Sequence, residues 1–363
     1  MKEQSMAQRL HIDIPLLFGL MVLCGLGLVV LYSASDQNMA MVVRQGVRML
    51  LAIALMLMIA QVPPSQLSRW SLWIYLIALA MLVLVLAVGD VSKGAQRWLD
   101  LGVFRFQPSE LMKLALPMTL AWFLSEKSLP PSFTRIVVAI VMIMLPVVLI
   151  AKQPDLGTAV LVATAGFAVL FIAGMNWRLI AGFCVLAASF APVLWYHMHD
   201  YQRQRVLTFL DPEKDPLGAG YHIIQSKIAI GSGGLYGKGW LNGTQSHLEF
   251  LPERSTDFIF AVFCEEFGLI GVILLITIYM LIITRGLYIA SNAQQTFGKL
   301  FGAALIMTFF VYVFVNMGMV SGQLPIVGVP LPLISHGGTS LVTLMLGFGI
   351  LMAIHTHRRL LSG

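Results

Sequence analysis

Residues 248–283 read LEFLPERSTDFIFAVFCEEFGLIGVILLITIYMLII. The first part of this stretch is polar and charged. From Asp257 onward the chain stays almost continuously apolar for more than the roughly 20 residues that a helix needs to cross a bilayer. A carboxylate at the edge of a span is costly, so an acid tolerated there usually faces a cavity lined by protein or water. The stretch therefore predicts a membrane-spanning helix and marks Asp257 as a candidate functional residue.

The composition of the 363 residues predicts a membrane protein. Apolar residues make up 58% of the chain and charged residues 11%, whereas soluble domains carry about 25% charged residues. The first apolar run, 14–34, has no convincing cleavage site and is followed by further runs, so we expect a span and not a cleaved signal. The three cysteines lie in apolar runs, and neither they nor the histidines have the spacing of a metal site.

The apolar runs predict an all-α integral membrane protein with about ten transmembrane helices, which form one polytopic domain over residues 1–363. An even number of spans places both termini on one side, and the Lys and Arg residues of the short loops favour the cytoplasm. A large extracytoplasmic loop, 198–256, is then expected between spans seven and eight. The predicted spans lie near 14–34, 46–62, 70–89, 109–125, 135–151, 158–176, 178–197, 257–283, 300–320 and 337–356.

The face opposite the termini is unusually basic. Short loops dominate orientation, so cations in the long loop do not overturn the predicted topology. A basic outer surface beside acids at the membrane edge suits an anionic ligand such as a phosphate-bearing lipid; the alternative is that these cations only contact lipid headgroups. The cations of this face are Lys93, Arg97, Arg105, Lys152, Arg203, Arg205, Lys214, Lys227, Lys238 and Arg254.

The long loop contains its own pattern. Residues 221–234, YHIIQSKIAIGSGG, place isoleucines at a helical spacing and predict a short amphipathic helix on the bilayer surface. The glycines from Gly231 to Gly239 could bring backbone amides to a phosphate, but their spacing matches neither a dinucleotide fingerprint nor a P-loop. A flexible turn is therefore the preferred interpretation of the glycine run.

Three further segments carry polar groups near span ends. Glu110 and Lys113, at the end of SKGAQRWLDLGVFRFQPSELMK, share one helical face at i, i+3, and both a functional role and helix capping stay open. Asp155 in QPDLGT is expected to cap the next helix. Residues 324–340, LPIVGVPLPLISHGGTS, predict broken backbone between two spans, which a membrane tolerates only in a protein-lined or water-lined setting. The acids that follow Asp257, Glu265 and Glu266, are expected to be structural.

These segments resemble the SEDS family (shape, elongation, division and sporulation), and the resemblance covers essentially the whole chain in order. The residues of these motifs are more similar to the elongation branch of the family than to its division branch. One departure is His336, which stands where the family generally carries a tyrosine. The motifs that carry the resemblance are KGAQRWLDLG, RFQPSELMK, QPDLGT, AGYHIIQSKIAIGSGGLYGKGW, TQSHLEFLPERSTDFIFAVFCEEFGLIG and PLPLISHGGTS.

The resemblance implies a peptidoglycan glycosyltransferase of the bacterial cytoplasmic membrane that serves cell elongation and rod shape. Such an enzyme joins lipid II units by transferring a growing glycan from its polyprenyl diphosphate to the 4-hydroxyl of an incoming GlcNAc. The implied partners are lipid II, a class B penicillin-binding protein with transpeptidase activity, the elongation machinery and membrane lipid, with no nucleic acid.

The resemblance aligns the essential acid of the family with Asp257. Inversion at the anomeric carbon needs only one carboxylate base, because a diphosphate leaving group needs charge neutralisation more than protonation. We expect Glu110 and Lys113 to orient sugar hydroxyls or diphosphate. We expect Glu253 to position the loop or to bind a divalent cation such as Mg²⁺ or Mn²⁺. The other predicted substrate-binding residues are Arg203, Arg205, Lys227, Lys238, Ser335 and Gly337.

Two other classes of function compete with this interpretation. A lipid II flippase would also use membrane acids, broken helices and basic patches, but the chain shows no visible internal repeat and its charges cluster on one face. A scaffold that only recruits a partner would explain the apolar spans. A scaffold would not explain the concentration of acids and cations at the membrane edge.

Overall fold

The computed structural model describes residues 11–92, 95–100, 105–197, 200–214, 219–247 and 253–357. The helices are α1 Ile14–Ala34, α2 Met39–Ala60, α3 Pro64–Val88, α4 Pro108–Ser125, α5 Phe133–Lys152, α6 Leu156–Ile172, α7 Trp177–His197, α8 Asp200–Leu210, α9 Ala219–Ser232, α10 Thr244–His247, α11 Ile259–Ser291, α12 Thr296–Val320 and α13 Thr339–Thr356. A short 3₁₀ turn, Pro212–Lys214, follows α8.

The prediction of an essentially helical multi-pass membrane protein is confirmed. Within the described ranges, seven helices are long and apolar enough to cross a membrane: α1, α2, α3, α5, α11, α12 and α13. Each of the ten predicted spans overlaps one helix, and the other three overlap α4, α6 and α7. Helix α4 carries Glu110 and Lys113 because protein surrounds it, and these two residues are 5% and 6% exposed.

The all-α prediction missed a small sheet between α3 and α4. Strands β1 Asp90–Ser92, β2 Ala95–Asp100 and β3 Arg105–Phe106 pair antiparallel in the order β1-β2-β3. The segment has no helical apolar period, and a hairpin pairs its backbone groups at the end of the helices. The sheet carries Arg97 towards the start of α6, where its Nη1 lies 3.7 Å from Asp155 Oδ1.

Helix α11 is interrupted at Gly268, whose φ and ψ are 62° and −165°. The glycine-rich segment after α9 lies against this break, and an added Cβ on Gly237 would stand 2.1 Å from the carbonyl oxygen of Glu266. Four backbone hydrogen bonds of 3.0–3.2 Å join the segments: Lys238 N–H to Glu265 O, Gly239 N–H to Glu266 O, Leu269 N–H to Gly234 O and Ile270 N–H to Leu235 O. The glycine run is therefore an ordered docking segment, which corrects its interpretation as a flexible turn.

The side chain of Glu265 completes this docking, as expected of a structural acid. Its carboxylate accepts hydrogen bonds from Lys238 Nζ at 2.7 Å, from the backbone N–H of Thr244 at 2.9 Å and from that of Gln245 at 3.0 Å. Glu266 accepts a hydrogen bond from Ser33 Oγ on α1. Glu265 thus joins the long segment before α11 to that helix, and Glu266 joins α11 to α1.

Replacing Gly237 by alanine is expected to undock this segment. Gly237 has φ +78°, where an L side chain costs about 1–2 kcal/mol, and the new Cβ would also clash with the Glu266 carbonyl. The thermal midpoint in detergent should fall by several degrees. Gly231→Ala is the matched control, because an added Cβ there has no atom within 4 Å. Equal midpoints for the two variants would show that the docking contributes nothing to stability.

Asp13 anchors the end of the bundle that lies opposite Asp257. Its carboxylate accepts from the backbone N–H of Leu16, receives Arg285 Nε at 3.1 Å and Nη2 at 2.6 Å, and lies 2.8 Å from His355 Nδ1. Burial raises the pKa of the Asp13 carboxyl, but the contacts with His355, Arg285 and Leu16 outweigh burial and hold that pKa well below its usual range. The cluster ties α1, α11 and α13 together at this end.

Candidate active site

Asp257 ends a tight turn immediately before α11. The turn starts at Glu253, which has φ +57° and whose carbonyl accepts the N–H groups of Thr256 at 3.0 Å and Phe258 at 3.3 Å. Thr256 Oγ1 also donates to the Glu253 carboxylate at 2.8 Å. Asp257 is half-buried. The end of the segment predicted as a polar loop is therefore a hydrogen-bonded turn, which places the carboxylate of Asp257 at the start of α11.

The long segment between α12 and α13 lies against this carboxylate. Asn316 Nδ2 donates to the backbone oxygen of Asp257 at 2.9 Å and to that of Val329 at 2.7 Å. A Cβ added to Gly328 would stand 3.4 Å from Asp257 Oδ2, so the carboxylate faces bare backbone there. The broken backbone predicted over residues 324–340 thus forms one wall of the site.

Three further contacts hold the turn that carries Asp257 in place. Ser335 Oγ donates to the carbonyl of Thr256 at 2.6 Å, and His336 N–H donates to that of Ser255 at 2.9 Å. Arg254 forms an ion pair with Asp36, in the connection between α1 and α2. The predicted site residue Ser335 therefore lies beside the Asp257 turn.

Glu110 and Lys113 form a buried ion pair on α4, with Lys113 Nζ 2.6 Å from Glu110 Oε1. Lys113 Nζ also lies 5.0 Å from the centre of the Tyr312 ring. The pair lines a cavity with about 450 Å³ of empty space, part of it open to the outside, whose other walls are mostly apolar and include Phe309 and Phe348. The ion pair thus places charged groups in the wall of a mostly apolar cavity.

The two parts of the site are neighbours. A second cavity of about 260 Å³ is lined by Ser335 and by Tyr312 and Leu344, and the last two also line the cavity of the Glu110–Lys113 pair. The structure thus brings the turn of Asp257, Ser335 and the buried ion pair into one region, although they are far apart in sequence. This arrangement offers an amphiphilic anion mostly apolar walls and, at Lys113, a positive charge.

Asp155 caps α6 as predicted, because its side chain accepts from the N–H of Thr158 at 3.3 Å. It also accepts from Gln107 Nε2 at 3.1 Å, next to the start of α4. An added Cβ on Gly157 would stand 2.5 Å from the carbonyl oxygen of Val327, so QPDLGT packs directly on the segment that faces Asp257. Asp155 therefore also braces the wall of the site.

Three of the predicted cationic site residues, Arg203, Lys227 and Lys238, contact different parts of the structure. Arg203 donates to the carbonyls of Trp195 at 2.8 Å and Tyr196 at 2.7 Å, near the end of α7. Lys227 is exposed on α9 and its alkyl chain lies over Gly322. Lys238 is held by Glu265, about two helical turns along α11 from Asp257.

The remaining predicted site residues are Arg205 and Gly337. Arg205 lies on α8, and its side chain is outside the described part of the structure. The backbone N–H of Gly337 lies 3.4 Å from Gln45 Oε1.

The family follows from comparison of the whole chain. The family described as cell cycle protein, with members FtsW, RodA and SpoVE, matches residues 10–360. The chain belongs to this family. The resemblance to SEDS proteins that the motifs carried is therefore confirmed.

Relatives within the SEDS family are similar over nearly their full length. The chain is 56% identical to "Peptidoglycan glycosyltransferase MrdB" of Escherichia coli K12, over 98% of this chain and 96% of the relative. It is 36% identical to "Probable peptidoglycan glycosyltransferase FtsW" of Geobacter metallireducens, over 96% of this chain and 95% of the relative.

Solved structures share the fold. A chain from a study of how a peptidoglycan synthase complex coordinates polymerization and crosslinking superposes with a TM-score of 0.84, at 31% identity, over 96% of this chain and 99% of that one. The crystal structure of the Thermus thermophilus rod shape determining protein RodA gives a TM-score of 0.72 at 28% identity, over 96% and 98% of the two chains.

Sequence reasoning missed several residues of this SEDS site. Asn316 and Tyr312 lie inside the apolar helix α12, where no sequence pattern marks them as site residues. His222 on α9 stacks on Phe258, with ring centres 5.8 Å apart; burial lowers the pKa of His222, and the nearby Glu253 carboxylate opposes this effect. Arg48 lies well inside α2, and the cost of a cation within a span was the signal that could have found it.

The described residues do not form a protein-only metal centre. No group of three or more His, Cys, Asp or Glu side chains lies together in the part of the chain that the structure describes. Glu253 is exposed, and its carboxylate accepts from Thr256 Oγ1. A divalent cation at this site would therefore need ligands from the diphosphate of a substrate, as magnesium sites of phosphate-processing enzymes commonly do.

Proposed function

We propose that Asp257 is the general base of this peptidoglycan glycosyltransferase. The chain polymerises peptidoglycan, and the observation that carries this conclusion is its 56% identity, over 98% of its length, to a peptidoglycan glycosyltransferase. The place of Asp257 supports its role: it is the half-buried acid at the start of α11 and it faces backbone at Gly328. Ser335, which holds the turn of Asp257, lines a cavity that shares Tyr312 and Leu344 with the cavity of Lys113.

The reaction needs one proton acceptor. The 4-hydroxyl oxygen of the acceptor GlcNAc of lipid II attacks the anomeric carbon of the growing glycan and gives its proton to Asp257. The bond from that carbon to the diphosphate oxygen breaks, and its electron pair leaves with the polyprenyl diphosphate. Attack from the opposite face inverts the α linkage to β. Charge neutralisation of the diphosphate replaces protonation of the leaving group, so a second carboxylate is not required.

Lys113 supplies positive charge at the end of the apolar cavity, and Glu110 holds its ammonium group in place at 2.6 Å. We propose that the cavity takes the chain of the lipid and that the pair orients diphosphate or sugar hydroxyls. Arg203, Arg205, Lys227 and Lys238 add positive charge in the segment between α7 and α11. Ser335 and Gly337 act through the backbone that they hold. A divalent cation bound through the diphosphate, with Glu253 nearby, would add further neutralisation.

The proposed topology has ten spans, formed by the seven apolar helices together with α4, α6 and α7. Both termini are then cytoplasmic, and the loop 198–256 with α8, α9 and α10 is extracytoplasmic, on the side where Asp257 lies. The proposed partners are a class B penicillin-binding protein and the elongation machinery, because a solved relative comes from a complex that couples polymerization to crosslinking.

Purified protein with labelled lipid II tests the proposal. Glycan strands that a muramidase digests should form, more rapidly when the transpeptidase partner is present. The same protein in liposomes should leave a lipid II analogue in its original leaflet. Translocation of the analogue without glycan synthesis would instead establish the flippase alternative.

A further inference from the structure

A polar patch of α2 contacts the segment 335–338. Gln45 is fully buried, its Nε2 lies 3.4 Å from the carbonyl oxygen of Ser335, and its Oε1 lies 3.4 Å from the N–H of Gly337. One turn further along the helix, Arg48 Nη1 donates to His336 Nε2 at 3.1 Å. Segment 335–338 is thus held by α2 and in turn holds the turn that carries Asp257.

The chain of contacts from α2 to Asp257 is short. Arg48 donates a hydrogen bond to the ring of His336. The backbone N–H of His336 donates to the carbonyl of Ser255 at 2.9 Å, and Ser335 Oγ donates to the carbonyl of Thr256 at 2.6 Å. Ser255 and Thr256 are the two residues that precede Asp257. A shift of the His336 backbone therefore moves the turn that carries the carboxylate.

We infer that Arg48 and His336 are a positioning pair for Asp257. The inference rests on the proposed function, in which Asp257 is the base, and adds that a hydrogen bond from α2 sets where the carboxylate stands. A displacement of about 1 Å at a reacting group can cost about a hundredfold in rate.

The hydrogen bond requires a neutral imidazole. Arginine only donates, so His336 Nε2 must carry the lone pair and Nδ1 the proton. Burial lowers the pKa of His336, as do the positive charges of Arg48 and Arg44, and this keeps the ring neutral near pH 7. The charged residues on the elements packed against it are Arg44 and Arg48 on α2 and Glu253, Arg254 and Asp257 on the turn.

The test compares two arginines of the same helix. Arg48→Gln removes the donor to His336, and Arg44→Gln removes the same charge one turn away, where the described structure shows no hydrogen bond to His336. In the lipid II assay, Arg48→Gln is expected to lower kcat about tenfold with KM changed less than about twofold, because position and not binding is lost. Arg44→Gln should keep kcat within about twofold of the parent.

Two variants of His336 make the test independent of folding. His336→Phe removes the acceptor and should lower kcat as Arg48→Gln does, whereas His336→Gln restores an acceptor and should recover most of the rate. The double variant Arg48→Gln/His336→Phe should be no worse than the poorer single variant, because one interaction is lost only once. The parent should also lose more activity at acid pH than His336→Gln, because protonation of the imidazole removes the acceptor.

Equal losses for Arg44→Gln and Arg48→Gln, or additive losses in the double variant, would overturn the positioning pair in favour of a general effect of charge. Failure of the proposed function looks different. Asp257→Asn would then polymerise lipid II normally, whatever the arginine variants do. Loss of activity in Asp257→Asn with full activity in Arg48→Gln would leave the base in place and remove only the positioning pair.

Discussion

Replacing Asp257 by asparagine is expected to lower glycan polymerisation by a factor of about 10²–10⁴, the range typical for loss of a positioned general base. Asparagine has the same shape but cannot take the proton of the acceptor hydroxyl. The hydrogen bonds from Asn316 to Asp257 O and from Ser335 to Thr256 O involve backbone acceptors that the substitution leaves in place, so the fold should persist. The measurement is the initial rate of strand formation from labelled lipid II, with binding of lipid II followed in parallel.

Asp211→Asn is the matched control for this variant. Asp211 lies after α8 and forms an ion pair with Lys214 at 3.0 Å, with both side chains well exposed, so the same chemical change there should leave the rate unaltered. Unchanged binding and thermal midpoint in Asp257→Asn would assign its defect to chemistry. A rate close to that of the parent would remove Asp257 from the mechanism.

Replacing Lys113 by methionine is expected to have the largest effect on stability. Glu110 would keep its buried charge at 7% side-chain exposure without its cation, and breaking a buried pair from one side costs about 3–5 kcal/mol. The thermal midpoint in detergent should fall strongly, and polymerisation should be lost with it. Lys127→Met, beyond the end of α4 at an exposed site, is the control and should behave as the parent.

A double variant separates stability from function at the same pair. Glu110→Leu/Lys113→Met replaces both charges by apolar groups of similar length, which is commonly neutral or stabilising. Its thermal midpoint should return to that of the parent while polymerisation stays lost, because the cavity then has no charge for diphosphate. Recovery of activity in the stable double variant would show that the pair serves the fold alone.

Much of the architecture followed from local pattern. Each predicted span overlaps a helix because a segment that crosses hydrocarbon must satisfy its own backbone and present apolar side chains, and both requirements are written within about 20 residues. The sheet at Ala95–Asp100 escaped prediction, since a hairpin at the membrane surface needs neither a long apolar run nor a helical period. The glycine run was misread because its partner, the break at Gly268, lies some 30 residues further on.

The sequence by itself determined the membrane class, the positions of the helices and the candidate role of Asp257, because the cost of burying charge in an apolar run is visible residue by residue. Only the tertiary structure decided which polar groups meet. It joined Lys238 to Glu265, placed Ser335 beside Thr256, and put Arg48 on His336. These partners lie from 27 to 288 residues apart, and side-chain hydrogen bonds over such separations depend on helix packing that no local pattern contains.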